Sequence, residues 1–271
     1  EPVGQSHHAR LTMGGRSRLL RILASFDLSR PVLKPAELMD ELGVSRASIY
    51  RDLADLEQAG LLERVADRGY ALGSLIVELD RQIRLADPLL NASGTLLRKL
   101  ADETGGTVLL CRVHGAKVLC IHQEATQAGQ TPVSYERGRA MPLYRGATSK
   151  IILAHLQDSA LAALWERDAD EMLAAGLPPT YDGLRDAMQA IRNDGYYVTE
   201  SELDRGLAGF AAPLMDGVRV LGSLSVVTPA QDLTDARRKS VLTRVVTAAA
   251  TIESRIEEER LKARNKKGRQ R

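Results

Sequence analysis

The sequence predicts an α+β protein: an N-terminal winged helix-turn-helix, a linker helix, and a C-terminal α/β domain built on an antiparallel sheet. Three observations carry this. Residues 33 to 73 read as two short helices about a glycine turn followed by a hairpin, and residues 107 to 124 alternate as a second hairpin about Gly115-Ala116. Strands and helices then follow one another up to a long closing helix. At 271 residues the chain exceeds the roughly 100 to 200 residues of one domain, so two domains are expected.

In order, Leu19, Leu20, Ile22, Leu23 and Phe26 give a helical apolar pattern over residues 16 to 27, a support helix. The next helix, Pro35 to Leu42, opens on a proline whose missing N–H costs nothing there and stops at Gly43. Ser45 is a suitable N-cap for the helix after it, and Val44 and Ile49 stand at the spacing of a hydrophobic staple. On that helix Ile49, Leu53 and Leu56 share one face, leaving a small, polar and basic face free. Such a face suits the major groove, where small residues permit close approach and Arg and Ser supply donors. The expected DNA contacts are Ser45, Arg46, Ala47, Ser48, Tyr50 and Arg51. A wing follows, Leu62 to Val65, a turn through Ala66-Asp67-Arg68-Gly69, then Tyr70 to Leu72, with Arg64 and Arg68 placed for phosphate or minor groove. A bare helix-turn-helix pattern is equally read as two packed helices; the wing and the exposed face in register favour DNA.

Leu75, Leu79, Ile83 and Ala86 suggest a linker helix ending near Asp87-Pro88, a candidate dimer contact. A helix over 92 to 103 ends at Gly105-Gly106, and Thr107 to His114 and Lys117 to Glu124 form the second hairpin. A third strand is expected at Pro132 to Glu136. Helices are expected near 146 to 156, 158 to 174 and 181 to 194, with a strand at Tyr196 to Thr199. Gly209 to Met215 and Val218 to Val227 pair about Asp216-Gly217, and the closing helix runs from about Thr234, its cap, to Arg264. The boundaries are therefore a tail over 1–15, a DNA-binding domain over 16–73, a linker over 74–90, a second, α+β domain over 91–260 and a basic tail over 261–271.

Charge is nearly balanced. The net value is +2, and residues 1–90 hold 12 Arg and Lys against 13 Asp and Glu, so local placement must carry any DNA contact. Arg46 and Arg51 lie toward the start of the reading helix, Asp52, Asp55 and Glu57 toward its end. The tail RLKARNKKGRQR, seven basic residues in twelve, reads as a solvated, disordered end. Neither an apolar run of about 18 residues nor a basic-then-apolar signal pattern occurs, so no membrane partner and a cytoplasmic location are expected.

Cys111, His114, Cys120 and His122 resemble a metal set only in composition. With the hairpin turning at Gly115-Ala116, Cys111 pairs with Cys120 and both share a face with His122, whereas His114 lies on the other face. A buried pair of thiols is expected, with no metal or cofactor. Neither a G-x-S-x-G elbow nor a P-loop is present, which disfavours an enzyme.

Gly146-Ala147-Thr148-Ser149 precede an apolar helix, so N–H groups and hydroxyls converge at a helix N-terminus, where a carboxylate is favoured. The competing reading, that Thr148 or Ser149 simply caps the helix, stands equal on the residues alone. Leu207, Ala208, Gly209 and Phe210 with Ser223 and Ser225 supply the apolar and hydroxyl mix of a pocket.

Four segments carry a family resemblance: RLLRIL; ELMDELGVSRASIYRDLADLEQAGLLER with the wing GYALG; MPLYRGATSKIILAHL; and ESELDRGLAGFAAPLMD followed by LGSLSVV. Over about residues 16 to 260 the chain resembles the IclR family of bacterial transcriptional regulators. The resemblance implies a GAF-like effector domain that binds a small organic molecule, often a carboxylic or aromatic acid. It also implies a homodimer, or a dimer of dimers, on double-stranded operator DNA. It assigns acid contacts to the backbone of Ala147 and Thr148 and pocket wall to Gly209 and Ser225. Members for small keto-acids commonly carry a polar or thiol side chain at the Gly209 position and a second serine at that of Val227. Thr199 stands near an acidic pocket position. A roomier, more apolar pocket follows, suited to an aromatic or longer acid. Glu202 and Gly206 match the family's E-x-x-x-G and are expected to shape a loop. The alternatives are an architectural DNA binder without effector and, more weakly, a small-molecule enzyme.

Overall fold

A computed structural model describes residues 18–66, 69–126 and 132–268. The chain divides into two compact units that meet between Asp87 and Pro88.

The first unit contains α1 (Arg18–Ala24), α2 (Pro35–Leu42), α3 (Arg46–Gln58), β1 (Leu62–Val65), β2 (Gly69–Leu72) and α4 (Leu75–Ala86). Helix α2 begins on Pro35 and ends at Gly43, whose left-handed φ of 65° lets its N–H reach the Met39 carbonyl at 2.9 Å. Ser45 caps α3 by accepting the Ser48 N–H at 3.4 Å. Ile49, Leu53 and Leu56 are buried with Ile22, Leu33, Leu38, Leu62 and Tyr70. The support helix is shorter than its apolar pattern suggests. Asp27 Oδ1 accepts the backbone N–H groups of Ser29 and Arg30, a local turn that competes with helix, so Phe26 reaches the core from beyond Ala24 and Leu20 stays exposed. The wing gains a bridge the sequence did not reveal: Leu33 and Tyr70 exchange N–H···O bonds of 2.9 Å each. That approach requires glycine at 69, where a Cβ would lie 2.3 Å from the Leu33 carbonyl oxygen.

The second unit runs α5 (Pro88–Ser93), α6 (Leu96–Thr104), β3 (Thr107–His114), β4 (Lys117–Glu124), β5 (Ala140–Pro142), α7 (Gly146–Ala154), α8 (Asp158–Ala174), α9 (Tyr181–Asp194), β6 (Tyr197–Glu200), β7 (Leu207–Asp216), β8 (Arg219–Pro229) and α10 (Asp235–Gly268). The strands form one antiparallel sheet ordered β5-β4-β3-β8-β7-β6. Because side chains alternate along a strand, the sheet has two apolar faces. Leu109, Cys111, Ala211 and Val227 pack under α7, α8 and α9, whereas Val108, Leu110, Phe210, Leu224 and Val226 pack under α5, α6 and α10. The layers are helix, sheet, helix.

Several expectations need correction. No strand forms at 132–136; the third strand to pair with the hairpin is β5, with Met141 opposite Val118. The helix expected over 92–103 is two helices, broken where Gly94 takes a φ of 47°. In the second hairpin a bulge places Leu110 opposite His122 but Cys111 opposite Cys120. The extra residue, Ile121, turns His122 off the face of the cysteines, and its ring meets Glu124 at 3.1 Å instead. The closing helix is capped by Thr234, which accepts the Arg237 N–H at 3.3 Å, but it continues beyond residue 264 to Gly268, so the basic end begins as helix.

Candidate functional site

The candidate DNA interface is the N-terminal part of α3 with the wing. Arg46, Ala47, Tyr50 and Arg51 are exposed, while the opposite face of the helix is core. The Arg46 guanidinium lies 5.6 Å from the centre of the Tyr50 ring one turn on, a cation–π contact that steadies both side chains. Ser45 and Ser48 are less free than expected: their hydroxyls lie 3.0 Å apart within the cap. On the wing, Arg64 is not a loose cation, since it stacks 5.6 Å over its cross-strand partner Tyr70 and donates to that hydroxyl at 3.2 Å. Arg68 lies outside the described residues. Asp52, assigned above to the acidic end of α3, is instead buried and held by Arg18 of α1 through Nε and, at 2.7 Å, Nη2. A pair separated by 34 residues has no sequence signal.

The candidate effector site is built on α7, every residue of which is buried. Burial forces its polar groups to find partners. Thr148 Oγ1 lies 2.9 Å from Ser225 Oγ, and Ser223 Oγ donates to the Thr148 carbonyl at 2.9 Å. Ser149 Oγ donates to the Pro142 carbonyl at 2.6 Å and lies against the hydroxyl of Tyr135. Burial pushes the Tyr135 phenol well above its ordinary pKa, so it stays protonated and donates to the Arg145 carbonyl at 2.9 Å. The cap reading of Thr148 and Ser149 therefore fails: Arg145 is the N-cap residue, it makes no side-chain cap bond, and both hydroxyls point elsewhere.

Gly146 carries a surprise. Its N–H, expected to be open to a ligand, donates to Glu202 Oε1 at 3.0 Å, and the same oxygen lies 2.7 Å from Nζ of the buried Lys150. Neither Lys150 nor this use of Glu202 was singled out from sequence, although a lysine amid the apolar run of α7 is a visible signal. The N–H groups of Ala147 and Thr148 follow in the first turn, where helix geometry leaves them no intrahelical partner.

Across the sheet Thr199 pairs with Gly209, and a Cβ built on Gly209 would lie 3.4 Å from Thr199 Oγ1 and 3.5 Å from the Ala147 Cβ. Those are ordinary contact distances, so neither φ nor crowding demands glycine here. Ala147, Thr148, Thr199, Gly209 and Ser225 thus come together on the α7 face, with Ser223 beside them and Leu207 packed at its margin. Ala208 and Phe210 do not join them. Each stands one residue along β7 from Gly209, points to the opposite face and is buried against the α10 side, a consequence of the period of two.

The family model described as bacterial transcriptional regulator IclR C-terminal matches residues 86–254, and one described as HTH domain matches residues 18–71. The HTH-type transcriptional regulator Rv1719 of Mycobacterium tuberculosis is 32% identical over 79% of this chain and 81% of its own. Among solved structures, an IclR transcriptional regulator from Alicyclobacillus acidocaldarius superposes with a TM-score of 0.72 at 22% identity, covering 88% of this chain and 97% of that one. An IclR homologue from Microbacterium hydrocarbonoxydans, complexed with 4-hydroxybenzoate, gives 0.72 at 18% identity over 89% and 98%. At such identities the structural likeness speaks to the fold. Among the described residues no helix is long and apolar enough to cross a membrane, and no group of His, Cys, Asp and Glu is placed to hold a metal ion.

Proposed function

The chain belongs to the IclR family of DNA-binding bacterial transcriptional regulators, and from that premise we propose that it is a ligand-responsive regulator whose second unit binds a small organic acid. In this reading α3 and the wing hold double-stranded operator DNA, with Arg46, Ala47, Tyr50 and Arg51 at base edges and Ser45, Ser48 and Arg64 fixing the approach. Residues 16–73 are the DNA-binding domain, 74–90 the linker and 91–260 the effector domain. The protein works in the cytoplasm, on DNA, as a homodimer or dimer of dimers. Leu79 and Ile83, on one side of α4 and exposed, support a contact between copies there.

One observation carries the effector reading: the first turn of α7 meets Gly209 and Thr199, where a missing side chain is required by neither backbone nor packing. A helix N-terminus favours the carboxylate, and in this reading the absence of a side chain at Gly209 suits an aromatic or longer acid over a small keto-acid. The Microbacterium homologue holds an aromatic acid, which agrees with that preference.

A ligand that binds only the folded state raises the melting temperature. The test is a thermal-shift screen of the whole chain against aromatic and aliphatic acids and their neutral amides, followed by gel shifts on the DNA upstream of its own gene. Acids that raise the melting temperature and alter the gel shift support the reading. Silence across the panel, with DNA still bound, favours an architectural binder.

A further inference from the structure

Glu202 sits in the turn between β6 and β7, and this turn is tied down at several points. Asp204 accepts from both the N–H and the hydroxyl of Ser134. Ser201 donates its N–H to the Leu207 carbonyl at 2.7 Å, and its hydroxyl accepts the Gly206 N–H at 3.1 Å. Leu203 and the ring of Tyr135 come within 3.6 Å of where a Cβ of Gly146 would stand, so the turn covers the start of α7. At its centre one oxygen of Glu202 takes both the Gly146 N–H and the Lys150 ammonium. The protein's own carboxylate thus occupies one of the first donors of the helix that the effector reading gives to an acid.

From these contacts we propose that Glu202 is an internal latch, a stand-in carboxylate that an acid effector displaces, so that occupancy of the site is converted into release of the Ser201–Gly206 turn. This rests on the effector reading above. An acid at the Ala147 and Thr148 N–H groups brings a second negative charge to the same first turn of α7 whose Gly146 N–H Glu202 already holds, and the two like charges oppose each other. Lys150 is a single buried cation and balances only one of them. The ligand gains Lys150 as a partner only if Glu202 yields it. The same competition sets ligand class: a neutral amide leaves the latch closed.

The test uses the full chain, with 4-hydroxybenzoate and 4-hydroxybenzamide as probes. Calorimetry compares the unmutated protein with Glu202→Gln, which keeps an acceptor for Gly146 but removes the charge. Hydrogen exchange follows peptides covering 200–207. Glu202→Gln is expected to bind the acid roughly fivefold more tightly while the amide is unaffected, as removal of a neighbouring like charge requires. In the unmutated chain the acid is expected to speed exchange over 200–207 and the amide is not; this measurement stands even if the variant fails to fold. Acid binding with equal affinity by both proteins, or with a turn that stays equally or better protected, overturns the latch and leaves the effector reading intact. If neither protein binds either probe, the latch falls together with the acid reading beneath it.

Discussion

The hydroxyls of Thr148 and Ser225 meet 2.9 Å apart in the buried layer between α7 and β8, joining the helix to the central strand of the sheet. Each satisfies a polar group that no water reaches, so removing one strands the other. Ser225→Ala is expected to destabilise the protein by about 1–3 kcal/mol, the cost of an unpaired buried hydroxyl. Adding Thr148→Val should recover most of that, because both polar atoms are then gone. Urea unfolding of the two single variants and the double variant measures the coupling. Additive losses would mean that the pair is incidental.

On the DNA side, Arg51 and Arg64 have different proposed roles. Arg51 stands free on the exposed face of α3, whereas Arg64 is held against Tyr70 on the wing. Arg51→Ala is expected to weaken specific binding by about 1–3 kcal/mol and to relax sequence preference. Arg64→Ala should weaken all sequences alike and reduce the salt dependence, as loss of a phosphate contact does. Fluorescence anisotropy on operator and scrambled duplexes at two salt concentrations distinguishes them. Equal loss on both duplexes for Arg51→Ala would remove it from the base readers.

Gly43 and Gly69 of the first unit both have positive φ, for different reasons, and alanine should tell them apart. Gly43, with φ of 65° and nothing within 4 Å of its built Cβ, faces only a backbone cost of about 1 kcal/mol. Gly69 has φ of 121° and a built Cβ 2.3 Å from the Leu33 carbonyl oxygen, so alanine must break the bridge between Leu33 and Tyr70. Gly69→Ala is expected to cost more than about 3 kcal/mol and to impair DNA binding, whereas Gly43→Ala lowers the melting temperature by a few degrees and leaves binding in place. Comparable melting temperatures for the two variants would contradict the crowding at Gly69.

These contrasts show which features the sequence makes legible. Local signals act within a few residues, so Pro35, Gly43 and Ser45 mark the ends of α2 and the start of α3, and the glycine turn at 115 sets the hairpin of β3 and β4. The winged fold followed from those. Long-range partners leave no such mark: Leu33 with Tyr70, Arg18 with Asp52, and Lys150 with Glu202 are joined only by folding. Ala147, Thr148, Gly209 and Ser225, singled out through resemblance and pattern, come together on the α7 face. Phe210 was misplaced although the signal existed, since a strand residue next to Gly209 must face the other way. His122 had no such signal, because a bulge at Ile121 inverts the register after the cysteines.

A final prediction concerns Glu253 on α10, whose carboxylate accepts the Met215 N–H at 2.6 Å while half buried. Burial raises its pKa above the ordinary carboxylate value, and the Met215 N–H only partly opposes this. A carboxyl with a raised folded-state pKa binds more protons folded than unfolded between the two values, so stability falls as pH rises through that window. Its contribution is fully present below the unfolded pKa and lost above the folded one. Glu253→Gln keeps an oxygen to accept from Met215 and removes the buried charge. The variant should therefore melt higher than the unmutated protein at pH 7, and the two curves should converge as pH falls below the usual carboxylate range. Melting temperatures from pH 4 to pH 8 give the comparison. An offset that does not change with pH would show that packing, and not ionisation, governs this contact between α10 and β7.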